Sequence, residues 1–445
     1  MTSSEQNSDG SASIGISKAD VRMRGFRDRS EVSDVIKLIE KRIHKLDQEW
    51  IPLDDASNRI LSQDVTATVD VPGFDRSAMD GYAVHGEETF GASSLAPCCL
   101  EVIGSSMPGQ PFTGIVHSGQ AVRIMTGSPI PNGADAVIMA EHTQLLPDNR
   151  IEVTDAVAPG RHIGVRGEDI AINDKVLHSG RRLRPQDLGL LSSIGIGMVP
   201  VFRKARVAII ITGDELLPAG HTPSGFQIAD SNSVMLNALV RRDGGLPTIL
   251  GPISDQREKV REAINQPDFD CVLVSGGSSV GAEDHAPTLV AELGELTVHG
   301  IAMRPSSPAG LGFVPFRSTE SQTSIPSTSN SQTPCEKPVF LLPGNPVSCL
   351  CAYDFFAGKA IRIMSGGSIN WPYRSQILPL ARKITSAVGR VDYTRIQIEQ
   401  GLATPLATSG ASILSSTTRA DGFVIIGQDS EGEPEGNSIP IYLYD

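Results

Sequence analysis

The chain runs to 445 residues, 40% of them hydrophobic and 20% charged, with 51 acidic side chains against 38 basic ones and a formal charge of −13. That length exceeds one ordinary core, so roughly two to four folding units are expected; the acidic field excludes nucleic acid and anionic membrane surfaces as general partners and leaves any anionic substrate to be held by local donors and metal. No apolar run approaches the ~20 residues that cross a bilayer, residues 1–20 are polar and Ser-rich and read as a disordered tail without a signal-peptide core, and the six cysteines lack zinc spacing, so a cytoplasmic protein with packed, reduced thiols is expected.

After Ser30, a good N-cap, Val32, Val35, Ile36, Ile39, Ile43 and Leu46 recur at helical spacing, and an amphipathic helix opens the folded region. From residue 65 to about 200, short apolar or alternating runs (121–125, 136–139, 195–201) are separated by turn signals such as Pro131-Asn132-Gly133 and Pro159-Gly160, which predicts mainly β architecture. The pattern changes at Arg206. Residues 207–211 form a continuous apolar run, read as a strand buried on both faces, that ends in Thr212-Gly213-Asp214-Glu215. Asp230-Ser231-Asn232 can cap a helix carrying Met235, Leu236, Leu239 and Val240. A second strand at 248–250 leads to Ser254-Asp255 and a helix with Val260, Ala263 and Ile264, and a third at 271–274 ends in a Gly/Ser loop followed by Asp284. Residues 318–334 are too polar to bury apolar area and read as a mobile insertion. A fourth strand at 339–342 ends in Pro343-Gly344-Asn345-Pro346 before a helix through Phe355, and from about residue 368 short strands with Gly turns form a last small β domain.

Strand, polar loop and helix in repetition predict an α/β open parallel sheet, whose loops gather at one edge and bind ligands there. Glu215, Asp255, Asp284 and Asn345 are therefore expected to converge. The loop carrying Ser275, Gly276, Gly277, Ser278 and Gly281 can surround a phosphate with backbone N–H groups and small hydroxyls, although a plain glycine turn has the same composition. Each carboxylate singly reads more readily as a helix cap than as a ligand. Three at one edge repel one another unless a cation, a basic side chain or solvent compensates, and hard oxygen donors beside phosphate favour magnesium over zinc.

The segment Pro72-Gly73-Phe74-Asp75-Arg76-Ser77-Ala78-Met79-Asp80-Gly81-Tyr82-Ala83-Val84 resembles the hallmark of the molybdopterin molybdenumtransferases, the MoeA and gephyrin E-domain family. Arg123-Ile124-Met125-Thr126-Gly127, Gly133-Ala134-Asp135-Ala136-Val137, Arg166-Gly167-Glu168-Asp169, Thr212-Gly213-Asp214-Glu215-Leu216, Ser275-Gly276-Gly277 with Gly281 and Asp284, and Leu342-Pro343-Gly344-Asn345-Pro346-Val347-Ser348 continue the resemblance in the family's order, from about residue 26 to the C-terminus. It implies four subdomains: I, helical and β, over 26–70 and 168–203; II, mainly β, over 71–167; III, the α/β molybdopterin-binding sheet, over 204–366; and IV, β, over 367–445. It implies an enzyme of molybdenum cofactor synthesis that takes molybdate and adenylylated molybdopterin as substrates, inserts the metal into the dithiolene and releases AMP with magnesium. Glu215, Asp255 and Asp284 become candidates for holding Mg2+ or orienting the attacking water, and residues 275–281 for holding the substrate's phosphate region. Asp75, Thr126 and Asp169 would complete the site from the second subunit of a homodimer. Pro343, Gly344 and Asn345 would line the site or serve only as a fixed helix entry. The pterin-adenylylating enzyme and apo-molybdoenzymes would be transient partners.

The chain departs from the family's usual pattern at Arg76, Pro287, Gly300 and Ala411, and a Lys-Pro-Gly-Lys-Pro stretch is replaced by Arg304-Pro305-Ser306-Ser307-Pro308. Arg304, Arg395 and Ser412 remain as candidates to hold the oxyanion. A guanidinium is not equivalent to the compact ammonium it replaces. The departures motivate one alternative, a paralogue acting on tungstate or a modified pterin; the family resemblance, through gephyrin's anchoring role, leaves another, a non-catalytic pterin-binding scaffold of the same fold, against which the retained Glu215, Asp255 and Asp284 argue.

Overall fold

The computed structural model describes residues 29–277, 284–317, 336–407 and 410–444. The tail at 1–20, the insertion at 318–334, and the loop residues Ser278 and Gly281 fall outside the described residues. Packing divides the chain into two units, one of residues 48–201 and one that joins 1–47 to 202–445.

In the second of these, α1 (Val32–Arg42) lays Val35 and Ile39 into the core. The helix begins after Glu31 rather than Ser30, because Ser30 is committed to segment 300–302: its N–H donates to Gly300 O (3.0 Å) and its carbonyl accepts from Ala302 N–H (2.9 Å). Its apolar face joins the core of the sheet that follows. That sheet is built from β1 (Arg206–Thr212), α2 (Asn232–Arg242), β2 (Leu246–Ile253), α3 (Arg257–Ile264), β3 (Cys271–Ser275), α4 (Ala286–Leu293), β4 (Glu295–His299), β5 (Gly310–Pro315) and β6 (Glu336–Leu342), then α5 (Pro346–Ala352) and α6 (Gly358–Met364).

The strand order is β2-β1-β3-β6-β5-β4. Ile209 pairs with Ile249 and Leu273, and Leu273 with Phe340, all in parallel register. The continuous apolar run of β1 serves both faces: Val207, Ile209 and Ile211 join one core with Leu236 and Val240, while Ala208 and Ile210 join another with Val260 and Leu289. The sheet is not wholly parallel, since β5 runs antiparallel to both β6 and β4. No helix lies between β4 and β5 to carry the chain back for a parallel return, so they pair as neighbours in opposite directions.

The helix expected through Phe355 is α5 and α6 joined by a π turn over Tyr353–Ala357. Beneath it lies a buried ionic network. Arg362 donates to Asp243 (2.8 Å), Tyr353 Oη donates to the same carboxylate (3.0 Å), Arg242 bridges Asp243 and Asp354 (2.9 Å each), and Tyr373 Oη donates to Asp354 (2.8 Å). Both aspartates are fully buried at their side chains, and these donors offset the cost of burying them.

The C-terminal strands form a second sheet in the same unit, in the order 303–304, 391–399, 422–426, 438–443, 375–379. Its first strand, Met303–Arg304, comes from the connection between β4 and β5 and pairs in parallel with Val391 and Asp392. The unit of residues 48–201 is mainly β. Its six-stranded sheet, with Gln120–Ile124 and Cys98–Ser106 at the centre, buries Tyr82, Val84, Leu100, Ile138, Ile151 and Val153. Among the described residues no helix is long and apolar enough to cross a membrane.

Arg362→Ala leaves Asp243 buried without its innermost cation, and urea unfolding is expected to register a loss of about 3–5 kcal/mol. A loss under 1 kcal/mol would show that the network contributes little to stability.

Candidate functional site

The loops after β1, β3 and β6 open together at one edge of the sheet around a cavity of about 670 Å³, within the usual range for small-molecule sites. Glu215, Asp255, Asp284 and Asn345 all line it, as do Ser275, Gly276, Gly277, Pro343, Gly344 and Ser412. The convergence expected from strand polarity is thus present. The three carboxylates share the cavity without closing into a ready-made ligand cluster among the described residues.

The loop backbone explains the glycines. Gly276 has φ +97°, and a Cβ there would stand 2.3 Å from Thr212 O. Only a residue without a side chain lets the β3 loop lie against the end of β1. Gly277 follows at φ +55°, with a would-be Cβ 4.0 Å from Asp284 Oδ1. The loop therefore presents backbone next to a carboxylate, the arrangement that brings an anion and its counter-cation together.

Asp214 and Asp255 interlock: the N–H of each donates to the other's carboxylate at 3.3 Å. Burial raises the Asp255 carboxyl above its ordinary value, the Thr212 hydroxyl and the Asp214 N–H oppose that rise, and the negative charges of Asp214 and Glu215 add to it. A cation at these oxygens would relieve both the burial and the repulsion. An all-oxygen donor set of carboxylates suits a hard divalent ion such as magnesium, and in that respect the residues fit the group. The nearby Cys349 thiol is pushed up to about 12 by burial, so it stays protonated and inert.

Asn232 was legible in the sequence only as part of a cap. In the structure Asp230 does the capping, accepting from Ser233 N–H at 3.0 Å, and Asn232 takes another task. Its Nδ2 donates to Ser275 Oγ (2.9 Å) and to Gly344 O (2.7 Å), tying the start of α2 to the end of β3 and to the loop after β6. Thr212 and Pro308 also line the cavity and carried no signal beyond their neighbours.

Other expected residues lie elsewhere. Arg304 does not line the cavity; it is paired with Asp392, which also accepts from Ser386 Oγ (2.9 Å) and meets Arg390 Nε at 3.1 Å. Arg395 is 1% exposed in strand Val391–Glu399, opposite Phe423, and is likewise outside the cavity lining. Asp75, Thr126 and Asp169 are exposed on the unit of residues 48–201. Hydrogen bonds knit their segments into one surface: Arg166 N–H to Asp75 Oδ1 (2.8 Å), the Thr126 N–H and hydroxyl to Asp80 Oδ1 (2.7 and 2.8 Å), and Asp169 N–H to Val71 O (3.1 Å). Arg76, a departure from the family's pattern, pairs with Glu168 at 3.3 Å.

Comparison with known proteins covers nearly the whole chain. Residues 30–195 match the MoeA N-terminal region (domains I and II), residues 208–362 the "Probable molybdopterin binding domain", and residues 378–444 the MoeA C-terminal region (domain IV). A molybdopterin molybdenumtransferase of Haemophilus influenzae is 32% identical over 416 residues, covering 91% of this chain and 96% of the relative. One of Bacillus subtilis is 32% identical over 406 residues, covering 89% of each. The crystal structure of a molybdopterin biosynthesis MoeA protein from Pyrococcus horikosii superposes with a TM-score of 0.77 at 31% identity, over 94% of this chain and 99% of that one.

Because the folded state raises the Asp255 carboxyl, its ionised form destabilises the fold above that raised value, and the penalty vanishes below the ordinary carboxylate range, where folded and unfolded chains both hold the proton. Asp255→Asn is therefore expected to raise Tm at neutral pH and to give no gain near pH ~3. Magnesium should raise the Tm of the unaltered protein more than that of the variant. Equal Tm values at neutral pH, with and without magnesium, would contradict this account of the site.

Proposed function

We infer the function from the family: the chain belongs to the MoeA family of molybdenum cofactor biosynthesis, matching its N-terminal, molybdopterin-binding and C-terminal regions in order. The chain is a molybdopterin molybdenumtransferase that takes adenylylated molybdopterin and molybdate, inserts the metal into the dithiolene and releases AMP. The observation that carries this reading is the cavity that Glu215, Asp255 and Asp284 line together with a glycine loop at the ends of parallel strands.

The dithiolene sulfurs belong to the pterin, so the protein needs no reactive cysteine, in keeping with the packed Cys349. What it must do is hold an anionic substrate in place and stabilise charge that develops at phosphorus. In this reading the backbone at Gly277, which follows Gly276 into the turn, would meet the phosphate oxygens. Asp255, fixed by Asp214, and the neighbouring Glu215 and Asp284 would hold a divalent cation. When bound, magnesium supplies charge neutralisation on the phosphoanhydride. Ser412, brought to the cavity from the C-terminal sheet, offers a hydroxyl to the oxyanion. The working form in this reading is a homodimer, in which Asp75, Thr126 and Asp169 of one subunit complete the cavity of the other. Their exposure on one knitted surface supports that role.

Purified protein given adenylylated molybdopterin, molybdate and magnesium is expected to release AMP and to activate an apo-molybdoenzyme. Glu215→Ala should lower that rate by about 100-fold or more with an unchanged oligomeric state. Failure of the unaltered protein to release AMP from verified substrate would overturn the reading. Preference for tungstate over molybdate would redirect it to a different oxyanion.

A further inference from the structure

Asn232 is 7% exposed and lines the cavity, yet its Oδ1 accepts no hydrogen bond from any described residue. The direction of this amide is fixed by chemistry. The Gly344 carbonyl can only accept, so the group 2.7 Å from it is the NH2, whose protons are divided between that carbonyl and Ser275 Oγ. The carbonyl end of the side chain is thereby left as an acceptor turned away from both. A buried acceptor without a donor loses more than a made hydrogen bond gains, so such a group in a binding cavity marks a position for a ligand donor.

We propose that Asn232 Oδ1 is a specificity-determining contact that accepts a hydrogen bond from an N–H or O–H on the uncharged, heterocycle- or sugar-bearing part of the substrate. The inference rests on the function proposed above and adds to it where the two halves of the ligand lie. Phosphate and molybdate oxygens are acceptors at neutral pH and are repelled by Oδ1, as they are by Glu215, Asp255 and Asp284 when no cation is bound. Of these four groups Asn232 is the neutral one, and its carbonyl can accept but not donate. The anionic part of the substrate therefore sits toward Gly276, Gly277 and the carboxylates, and a donor-bearing part sits against Asn232. Adenylylated molybdopterin offers such donors from two sources, the adenosine and the pterin.

The test deletes one donor at a time from small probes and reads binding by calorimetry in the presence of magnesium, with the full-length protein. On the adenosine side, AMP is compared with purine riboside 5′-monophosphate, which lacks the 6-amino group, and with 2′,3′-dideoxy-AMP. On the pterin side, pterin is compared with 4-hydroxypteridine, which lacks the 2-amino group, and with 3-methylpterin, which lacks the N3 proton. One of these four deletions is expected to weaken binding to the unaltered protein by about threefold to tenfold and to have no effect in Asn232→Ala; which one it is identifies the source. A merely structural role for Asn232 would lower the affinity of every probe without removing the selective penalty. Binding with no penalty from any deletion, as when water satisfies Oδ1, overturns the inference while leaving the proposed function in place, and so does a penalty that persists in the variant. If Asn232→Ala does not fold, Asn232→Ser serves as the second variant, and the unaltered protein's own series still decides. Failure of both AMP and pterin to bind at all overturns the proposed function together with the inference.

Discussion

Parallel pairing releases every crossover loop at the same end of the strands, and the cavity depends on that constraint. Because β1, β3 and β6 run the same way, Thr212, Ser275 and Leu342 finish side by side, and the segments that follow them have nowhere to go except over one rim. The polar groups there originate far apart in sequence, from Glu215 to Ser412. No local propensity could assemble them. Closeness of approach then comes from Gly276 against Thr212, and rigidity from the Asn232 amide that holds the end of β3 and the loop after β6 at once.

The site and the scaffold treat buried charge in opposite ways. Around Asp243 and Asp354 each carboxylate oxygen meets arginine or tyrosine donors, so the ions are neutralised by the fold itself. At the rim, among the described residues, Asp255 accepts from the Asp214 N–H and has two further negative charges close by. Such unfavourable placement is a common mark of groups that await a ligand.

Much of this architecture was legible in the sequence, for identifiable reasons. The run at 207–211 announced a strand with two covered faces because both of its faces are in fact packed. The Gly/Ser loop and the carboxylates announced a site because strand polarity fixes where loops go. What the sequence hid was set by tertiary partners. Ser30 has the chemistry of an N-cap, but a bridge to segment 300–302 claimed its backbone. Asn232 looked like one of three interchangeable capping residues until Asp230 was found to cap and Asn232 to reach Ser275 and Gly344. Arg304 kept its charge on paper, and only the fold revealed that Asp392 occupies it.

The two residues Met303 and Arg304 belong by sequence to the sheet of β1–β6, yet they pair with Val391 and Asp392 in the C-terminal sheet. A second tether joins the same partners, the Val347 N–H donating to Ala411 O at 3.0 Å. With stitches at both 303–304 and 411, the C-terminal sheet is fastened at two separated points and cannot pivot freely on the 365–374 connector. Ser412 follows the tethered Ala411 directly, so its position in the cavity lining is coupled to α5 through the Val347 hydrogen bond.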